Sequence, residues 1–410
     1  MKTLLFTAII LFNIVSVSAQ ENLVNHTEIR ADLNEIIHNI SNNYVYLNDK
    51  NIDLNCIQEY YNTQIPSIQT EEETVLFFEY LLDEFYDNHL MVRTNRNSSF
   101  RLFSPIHLTI ENHKPLITNV WQTQIQNLTM DIIGAEITHF NGVEFDKVIS
   151  NFPTHCHDKS DQATREWIAN KIVAGRYNEP RILSLELANG EIVALDLDSL
   201  LLIKNETLLS TSIIDEIGVI RINNSLGYDE LVNEFDQALI ELSDTKGLII
   251  DLRNTIFGGD SYEARGIMSR FINEPRPYQK HSFTAKSPNN PDIERSWVEY
   301  VSPRGTTYKK PVVVLVGRWT GSMGEGLAIG FEGMGRAEVV GSEMRKLAGE
   351  VYDFGFIHQN YGYKLSTAKL FHVNGTLRED YIPTYFVKQT TNKKDETLIK
   401  GMELIHKMDE

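Results

Sequence analysis

The sequence has few cysteines and no excess of positive charge, and each shortage excludes a class of protein. Only Cys56 and Cys156 occur in 410 residues, so a disulfide-rich scaffold is excluded. The two could pair in an oxidising compartment, but their spacing does not decide between a disulfide and two free thiols. The net charge of −18 disfavours nucleic acids and anionic membranes as partners, because both attract Lys and Arg.

Long apolar runs and clusters of metal ligands are scarce as well. Beyond the first twenty residues, no apolar run approaches the length of a membrane span. The pair His155 and His157 has no second group of ligands nearby in sequence, so we expect neither a metal nor another cofactor. With 42% apolar and 23% charged residues, the composition is that of a soluble globular chain long enough for two or three domains.

The N-terminus has the features of an export signal. Lys2 gives a positive start, Leu4 to Val17 form an apolar stretch, and Val17-Ser-Ala19 is a small-residue cleavage site. The stretch is short for a bilayer span. We therefore expect residues 1–19 to be removed, leaving Gln20 first in a periplasmic or secreted protein without an integral membrane segment.

Three regions with different patterns follow the signal. Residues 20–100 are typical of helices, with apolar residues at helical spacing from Ile29 to Ile40 and a capping box from Thr70 to Glu73. Residues 101–205 favour short strands, including a hairpin with Asn-Gly at its turn. Residues 206–410 alternate buried-strand runs with helices, which predicts an α/β core with a largely parallel sheet.

Ser322 lies in Trp319-Thr-Gly-Ser-Met-Gly-Glu325, just after the buried-strand run 311–316 and before a predicted helix. Sites in α/β sheets gather at the carboxyl ends of strands. A helix N-terminus would also place free N–H groups beside the hydroxyl, although a simple N-cap serine fits the same local pattern. The motif is not Gly-x-Ser-x-Gly, so the usual hydrolase elbow does not apply.

A second glycine-rich loop follows the other long strand run. Gly258 and Gly259 end the segment Asp251-Leu-Arg-Asn-Thr-Ile-Phe-Gly-Gly. Adjacent glycines let the backbone approach a ligand and offer N–H donors, although an ordinary loop needing positive φ would look the same. His89, taken alone, carries no functional signal.

Several motifs in order along the chain resemble those of the C-terminal processing (tail-specific) serine proteases. The segment 251–259 resembles their Asp-Leu-Arg-Asn-x-x-Gly-Gly signature with one extra residue, and 320–325 their Thr-Ala-Ser-Ala-Ser-Glu nucleophile segment. Residues 335–341 match Gly-Arg-Ala-x-x-Val-Gly, 363–369 are similar to the family's Leu-Lys-Leu-Thr-Thr-Ala strand, and 133–149 look like part of its PDZ-like module.

The resemblance implies a fold and a site. The fold is a ClpP/crotonase-like protease core at 206–410, with an N-terminal helical domain at 20–100 and a PDZ-like β-rich module at 101–205. The site is the nucleophile Ser322 with an oxyanion hole from Gly258, Gly259 and the N–H of Met323.

The sequence departs from the family at the catalytic base. Many members use a Ser–Lys dyad, but Ala348 stands here where that lysine belongs. Lys346 is displaced by two residues, nearly 7 Å along a strand at roughly 3.3 Å per residue. The branch resembling the tricorn protease core instead uses His as base with a Glu near the C-terminus.

That second branch supplies the catalytic set that we expect. His89 falls where the branch has its His, and Glu379 falls near its Glu, so we predict Ser322 as nucleophile, His89 as general base and Glu379 as the group that orients the imidazole. Asp380 could replace Glu379, and Lys346 could still be the base.

The function expected from the sequence is an exported serine endopeptidase that cleaves peptides or proteins through an acyl-enzyme on Ser322. The alternative is a catalytically silent protein of the same fold that binds a peptide or a hydrophobic ligand. A carbohydrate- or ester-acting hydrolase is a third reading, since fold does not fix substrate. Oligomeric state and the binding of C-terminal carboxylates by the PDZ-like module stay open.

Overall fold

The computed structural model describes residues 24–287 and 289–409. The expected export signal and its cleavage site before Gln20 lie outside the described residues. Within the described ranges, no helix has both the length and the apolar character needed to cross a membrane.

The N-terminal region is helical, as the sequence predicts. Asn25 and Asp53 cap the first two helices, and the predicted capping box of Thr70 and Glu73 begins the third. Its elements are α1 (His26–Asn43), α2 (Leu54–Gln64), α3 (Glu71–Asp83) and the short strand β1 (Met91–Val92).

The middle module is a sheet with two helices. The hairpin turn is at Asn141-Gly142, where both residues have positive φ (50° and 79°), so the Asn-Gly signal is confirmed. The elements are β2 (Ile106–Glu111), β3 (Lys114–Val120), β4 (Glu136–Phe140), β5 (Val143–Glu144), α4 (Phe145–Ser150), α5 (Gln162–Ala174), β6 (Ile182–Glu186) and β7 (Ile192–Asp196). The sheet order is β2-β3-β4-β6-β7, with β5 beside β4.

The C-terminal half is the α/β core. Its elements are β8 (Leu209–Ile214), β9 (Ile217–Ile222), α6 (Leu231–Glu241), β10 (Gly247–Asp251), α7 (Ser261–Met268), β11 (Arg276–Ser287), β12 (Asn290–Val301), β13 (Val312–Val316), α8 (Met323–Gly333), β14 (Glu338–Gly341), β15 (Glu350–Gly355), β16 (Gly362–Phe371), β17 (Tyr385–Phe386) and α9 (Glu396–Asp409).

Six strands of this core form one sheet in the order β17-β14-β13-β10-β9-β8. All neighbours are parallel except β8, which is antiparallel at one edge. Strands β10 and β13 are buried along their whole length, because α6, α7 and α8 cover one face and α9 the other. Continuous apolar runs are typical of such doubly covered strands, and the predicted α/β core is confirmed.

The core of the N-terminal helices extends into the C-terminal half. A second sheet, β1-β16-β11-β12 with β15 beside β16, joins β1 to the C-terminal half. The apolar cluster beneath α1, α2 and α3 also includes Ala348, Phe356, Tyr363 and Leu365. The helical region predicted for residues 20–100 therefore packs against β15 and β16. Apolar periodicity shows which helix face is buried but not what covers it.

Cys56 and Cys156 form a disulfide with Cα atoms 5.8 Å apart. It ties α2 to the loop before α5, across a sequence separation of 100 residues. Of the two states left open by the spacing, the structure has the paired one. The bond links the N-terminal helices to the middle module.

Candidate active site

Ser322 stands between β13 and α8 in a constrained backbone conformation. Its φ of 50° and ψ of −115° lie in a region that a non-glycine residue adopts only at a cost of about 1–3 kcal/mol. The flanking glycines allow the close packing that holds it. A Cβ on Gly321 would come within 2.4 Å of the Ile256 carbonyl oxygen, and one on Gly324 within 2.2 Å of the Thr255 hydroxyl.

Glu325 connects this turn to the segment that precedes β15. Its buried carboxylate accepts the N–H of Ser322 at 2.9 Å, of Lys346 at 2.8 Å and of Leu347 at 3.2 Å. Burial raises the pKa of Glu325 to about 7, while the charge of Arg378 and the three N–H donors oppose the rise. Sequence reasoning missed Glu325, although a Ser followed three residues later by a Glu is a capping-box signal.

The glycine loop after β10 lies directly against the Ser322 turn. A Cβ on Gly258 would be 2.5 Å from Ser322 Cβ and 2.6 Å from the Met323 nitrogen, and the φ of Gly258 is +67°. Only glycine permits this approach. The two loops that the sequence singled out are therefore brought together.

The predicted oxyanion donors differ in availability. The Gly258 N–H donates to the Thr255 carbonyl at 3.0 Å, so Gly258 supplies close approach rather than a free donor, which corrects the expectation from the sequence. Among the described residues, the N–H groups of Gly259 and Met323 donate to no acceptor. Met323 is the first residue of α8, where unpaired N–H groups are expected.

His89 is 5% exposed and contacts the segment before β15. Its Nδ1 is 3.0 Å from the Ala348 carbonyl oxygen, and its backbone N–H donates to Asp87 at 2.9 Å. Burial, with the charge of Arg378 adding to it, lowers the pKa of His89 to about 3. In the part of the chain that the structure describes, the His89 ring makes no hydrogen bond to Ser322 or Glu379.

A carbonyl oxygen only accepts hydrogen bonds, so the Ala348 contact fixes the tautomer of His89. The proton of the neutral ring is on Nδ1, and Nε2 carries the lone pair. Ala348, which stands where many family members have a lysine, thus orients His89 through its backbone carbonyl.

Glu379 lies in the single helical turn Arg378–Asp380, close to the hydroxyl of Tyr46. Burial raises the pKa of Glu379, and the nearby Tyr46 hydroxyl opposes the rise. The neighbouring Arg378 guanidinium donates to the carbonyl groups of Leu347 and Gly349 at 2.8 and 2.9 Å. The turn is therefore fixed to the segment that also contacts Glu325 and His89.

One cavity of about 620 Å³ is lined by all three regions of the chain. Tyr46, Asp87 and Asn88 come from the N-terminal helices, and His107, Glu166 and Asn170 from the middle module. The core contributes Trp319, Arg345, Lys346, Ala348, Glu379 and Asp380. A cavity of this size falls within the range of ligand sites, about 300–1,000 Å³.

Lys346 faces this cavity rather than Ser322. Burial lowers the pKa of His107 and raises the pKa of Glu166 in the middle module; the charge of Lys346 adds to the first shift and opposes the second. Among the described residues Lys346 forms no ion pair and no hydrogen bond with Ser322.

Two tryptophans attach the middle module to the loops that follow β10 and β13. The rings of Trp121 and Trp319 stack with centroids 5.3 Å apart and an interplanar angle of 2°. Trp121 Nε1 donates to the Arg253 carbonyl at 2.9 Å, and Trp319 Nε1 to the Ser104 carbonyl at 2.9 Å. Since Trp319 is three residues before Ser322, the module is held at the site itself.

The comparisons with known proteins match this architecture. The model for peptidase family S41 matches residues 216–383, and the model for the tricorn protease C1 domain matches residues 25–83. No protein with a curated function matches the sequence.

Solved structures show the same fold at low sequence identity. Mature CPAF complexed with lactacystin aligns with a TM-score of 0.62 and 14% identity, over 94% of this chain and 98% of that one. The photosystem II D1 C-terminal processing protease aligns with a TM-score of 0.53 and 14% identity, over 93% and 97%. A candidate peptidase from Parabacteroides merdae aligns at 0.55 and 14%, over 92% and 96%.

The fold and the family match together define a serine-type peptidase. The segment that contains Ser322 matches peptidase family S41, and the resemblance to the C-terminal processing (tail-specific) proteases is confirmed.

Proposed function

We propose that the chain is an endopeptidase that cleaves peptides or proteins through an acyl-enzyme on Ser322. The observation that carries this proposal is the contact between the Ser322 turn and the Gly258 loop. That contact surrounds the serine with backbone N–H groups at the start of a helix. Such donors stabilise the negative charge that develops on a carbonyl oxygen under attack. The N–H groups of Met323 and Gly259 are the proposed donors.

His89 is the proposed general base. The Ala348 carbonyl supports this role because it selects the tautomer whose Nε2 can accept the Ser322 proton. The low pKa keeps the ring neutral across the ordinary pH range, which is the state that a base requires. Lys346 is the weaker candidate, since its ammonium faces the middle module.

Glu379 completes the proposed set, with a modified role. The Nδ1 proton of His89 is already bound by the Ala348 carbonyl, so the Glu379 carboxylate would stabilise the imidazolium through space rather than by orienting the ring. Asp380, which lines the same cavity, is the substitute if Glu379 proves dispensable.

The proposed reaction has two balanced steps. Ser322 Oγ forms a bond to the peptide carbonyl carbon while its proton moves to His89 Nε2, and that proton then passes to the leaving amine as the C–N bond breaks. In the second step water adds to the acyl group, again losing a proton to His89, and the serine leaves with that proton. No cofactor enters either step.

We also propose that the protein acts after export. The support is the N-terminal pattern of Lys2, the apolar stretch to Val17 and Ala19. N-terminal sequencing of the protein recovered from the periplasm or medium should begin at Gln20. Recovery of an intact Met1 form in the cytoplasm would contradict this.

A silent binding protein is the second candidate, and one observation favours it. Within the described ranges, His89 and Ser322 are not hydrogen bonded, and a base with a pKa of about 3 accepts a proton weakly. A serine-directed phosphonate probe, mapped by mass spectrometry, separates the two functions. Labelling of Ser322 in the wild type and none in Ser322→Ala would support the peptidase. Capture of a peptide with neither labelling nor cleavage would support the binding protein.

A further inference from the structure

The strand β2 is an edge of the middle sheet, yet its outer backbone groups are not free. Strand β3 pairs with one side of β2. On the other side, the N–H and C=O groups of Leu108 and Ile110 point away from the sheet. An open edge of this kind accepts an extended peptide as an additional strand, which is how PDZ domains bind their ligands.

Three side chains of α5 occupy these groups. Asn170 accepts the Leu108 N–H at 3.1 Å and donates to the Leu108 carbonyl at 2.9 Å. Glu166 accepts the Ile110 N–H at 3.1 Å, and Gln162 donates to the Ile110 carbonyl at 2.9 Å. All four outward groups are thus paired, as they would be by a neighbouring strand.

The side chains of α5 match the backbone groups of β2 because the helix and the strand have similar repeat distances. Residues 162, 166 and 170 are spaced four apart, so they share one face of α5 and rise about 6 Å per step. Residues 108 and 110 are spaced two apart on one edge of β2, about 6.8 Å per step. Helix and strand run antiparallel, which keeps the donors and acceptors in register.

The pairing is reinforced at the Asn170 end. Asn170 Oδ1 also lies 2.7 Å from Nδ1 of His107, so a single amide oxygen receives both the Leu108 N–H and the imidazole N–H. Leu108 and Ile110 are 0% and 3% exposed. A buried edge that lost these partners would leave its N–H and C=O groups without hydrogen bonds.

We propose that the outer edge of β2 is a peptide site held closed by its own helix, with Gln162, Glu166 and Asn170 as the internal occupant. The module then acts as a wall of the 620 Å³ cavity, to which Glu166 and Asn170 also contribute, rather than as a receptor for peptide termini. This inference does not depend on which residues catalyse the reaction.

The first test is amide hydrogen exchange of the full chain. In the wild type, the amides of Leu108 and Ile110 should be protected. In Glu166→Ala, the Ile110 amide should exchange roughly tenfold faster or more, while the Leu108 amide stays protected. Glu166→Gln keeps an acceptor and should resemble the wild type. Equal exchange of Ile110 in the wild type and in Glu166→Ala would overturn the proposal.

The second test asks whether a peptide can replace the helix side chains. The probe is a peptide with a free apolar C-terminus and a photocrosslinker, used with the Ser322→Ala form to prevent cleavage. The triple variant Gln162→Ala, Glu166→Ala, Asn170→Ala should crosslink within residues 106–111, and the unmodified edge should not. Arg165→Ala, on the same helix but bound to Asp146, is the matched control.

Two outcomes of the crosslinking would refute the proposal. Crosslinks to β2 at the same level with and without the three side chains would show that the edge is open. A triple variant that retains its circular dichroism spectrum but captures no peptide would show that no usable site lies beneath the side chains. If the triple variant does not fold, the single variants Glu166→Ala and Asn170→Leu carry the same comparison.

Discussion

The two halves of the proposed site are built in different ways. The nucleophile half is local: β13, Ser322 and α8 are consecutive, and the Gly258 loop follows the adjacent strand β10. The base half is assembled from distant pieces, because His89 comes from the N-terminal region and is 259 residues from its partner Ala348. Residues that are consecutive in the chain form a motif that can be recognised in the sequence. Residues that meet only through long-range packing appear in the sequence as isolated positions.

The largest effect should come from the two reacting groups. Ser322→Ala and His89→Ala should each lower the rate of single-turnover peptide cleavage by about 10⁶-fold, and the double variant should lose little more, because the two groups act as one unit. Circular dichroism confirms folding. Lys346→Ala is the matched control and should retain most activity. If Lys346→Ala were inactive and His89→Ala active, the base would be Lys346 in a Ser–Lys dyad rather than His89.

Breaking the disulfide should loosen the base half and spare the nucleophile half. The Cys56–Cys156 bond closes a loop of 100 residues, so its removal should cost about 2–5 kcal/mol of unfolding free energy. Urea unfolding of Cys56→Ser, Cys156→Ser measures the loss. Hydrogen exchange should quicken around His89 more than around Ser322. Uniform loosening of both halves would contradict the comparison.

Gly258→Ala should disturb the nucleophile half by close contact. The new methyl would meet Ser322 Cβ at 2.5 Å and the Met323 nitrogen at 2.6 Å, which displaces a proposed oxyanion donor. A loss of about 10²–10³ in kcat is expected. Gly335→Ala is the control, because Gly335 has a similar φ of +64° and no atom within 4 Å of the new methyl. If both variants lost kcat to the same extent, backbone strain rather than the close contact would explain the loss.

Glu379→Gln tests a contact that is electrostatic in the proposed site. Because the Ala348 carbonyl holds the ring of His89, loss of the Glu379 charge should lower kcat about tenfold, far less than His89→Ala. Asp380→Asn serves as the comparison at the adjacent carboxylate. A loss as large as that of His89→Ala would mean that Glu379 contacts the imidazole directly during the reaction.

The contrast between the halves also explains what could be predicted from the sequence. The strands β10 and β13, the start of α8 at Met323 and the Asn-Gly hairpin follow from apolar runs and turn chemistry, and the structure confirms them. The disulfide could not be predicted, because the spacing of two cysteines does not determine their distance.

Two other features needed the tertiary structure. The shared core of the N-terminal helices with β15 and β16 depends on long-range packing. The closed edge of β2 depends on three polar residues, Gln162, Glu166 and Asn170, that look like a solvated helix face. The contacts of Glu325 could be predicted only in part. The Ser-x-x-Glu spacing predicts its hydrogen bond to Ser322, but not those to Lys346 and Leu347.

The smallest expected effect is the change of activity between pH 7 and pH 5. A histidine with the ordinary pKa near 6.5 would be only about 3% neutral at pH 5. His89, whose pKa is lowered to about 3 by burial, should be about 99% neutral there. If it is the base, kcat/KM should change little over this range, with its acid limb well below pH 5.

The protonation of His89 also affects stability, with a definite sign. Because its folded pKa lies below the unfolded value, the stability that this residue contributes is present above about pH 6.5 and is lost as the pH falls toward 3. Rates at pH 5 are therefore measured with circular dichroism alongside.

Glu325 titrates in the same window, since burial raises its pKa to about 7. Glu325→Gln keeps an acceptor for the Ser322 N–H and removes that titration. An acid limb near pH 6.5 that persists in Glu325→Gln would mean that the base is not the buried His89 in this environment.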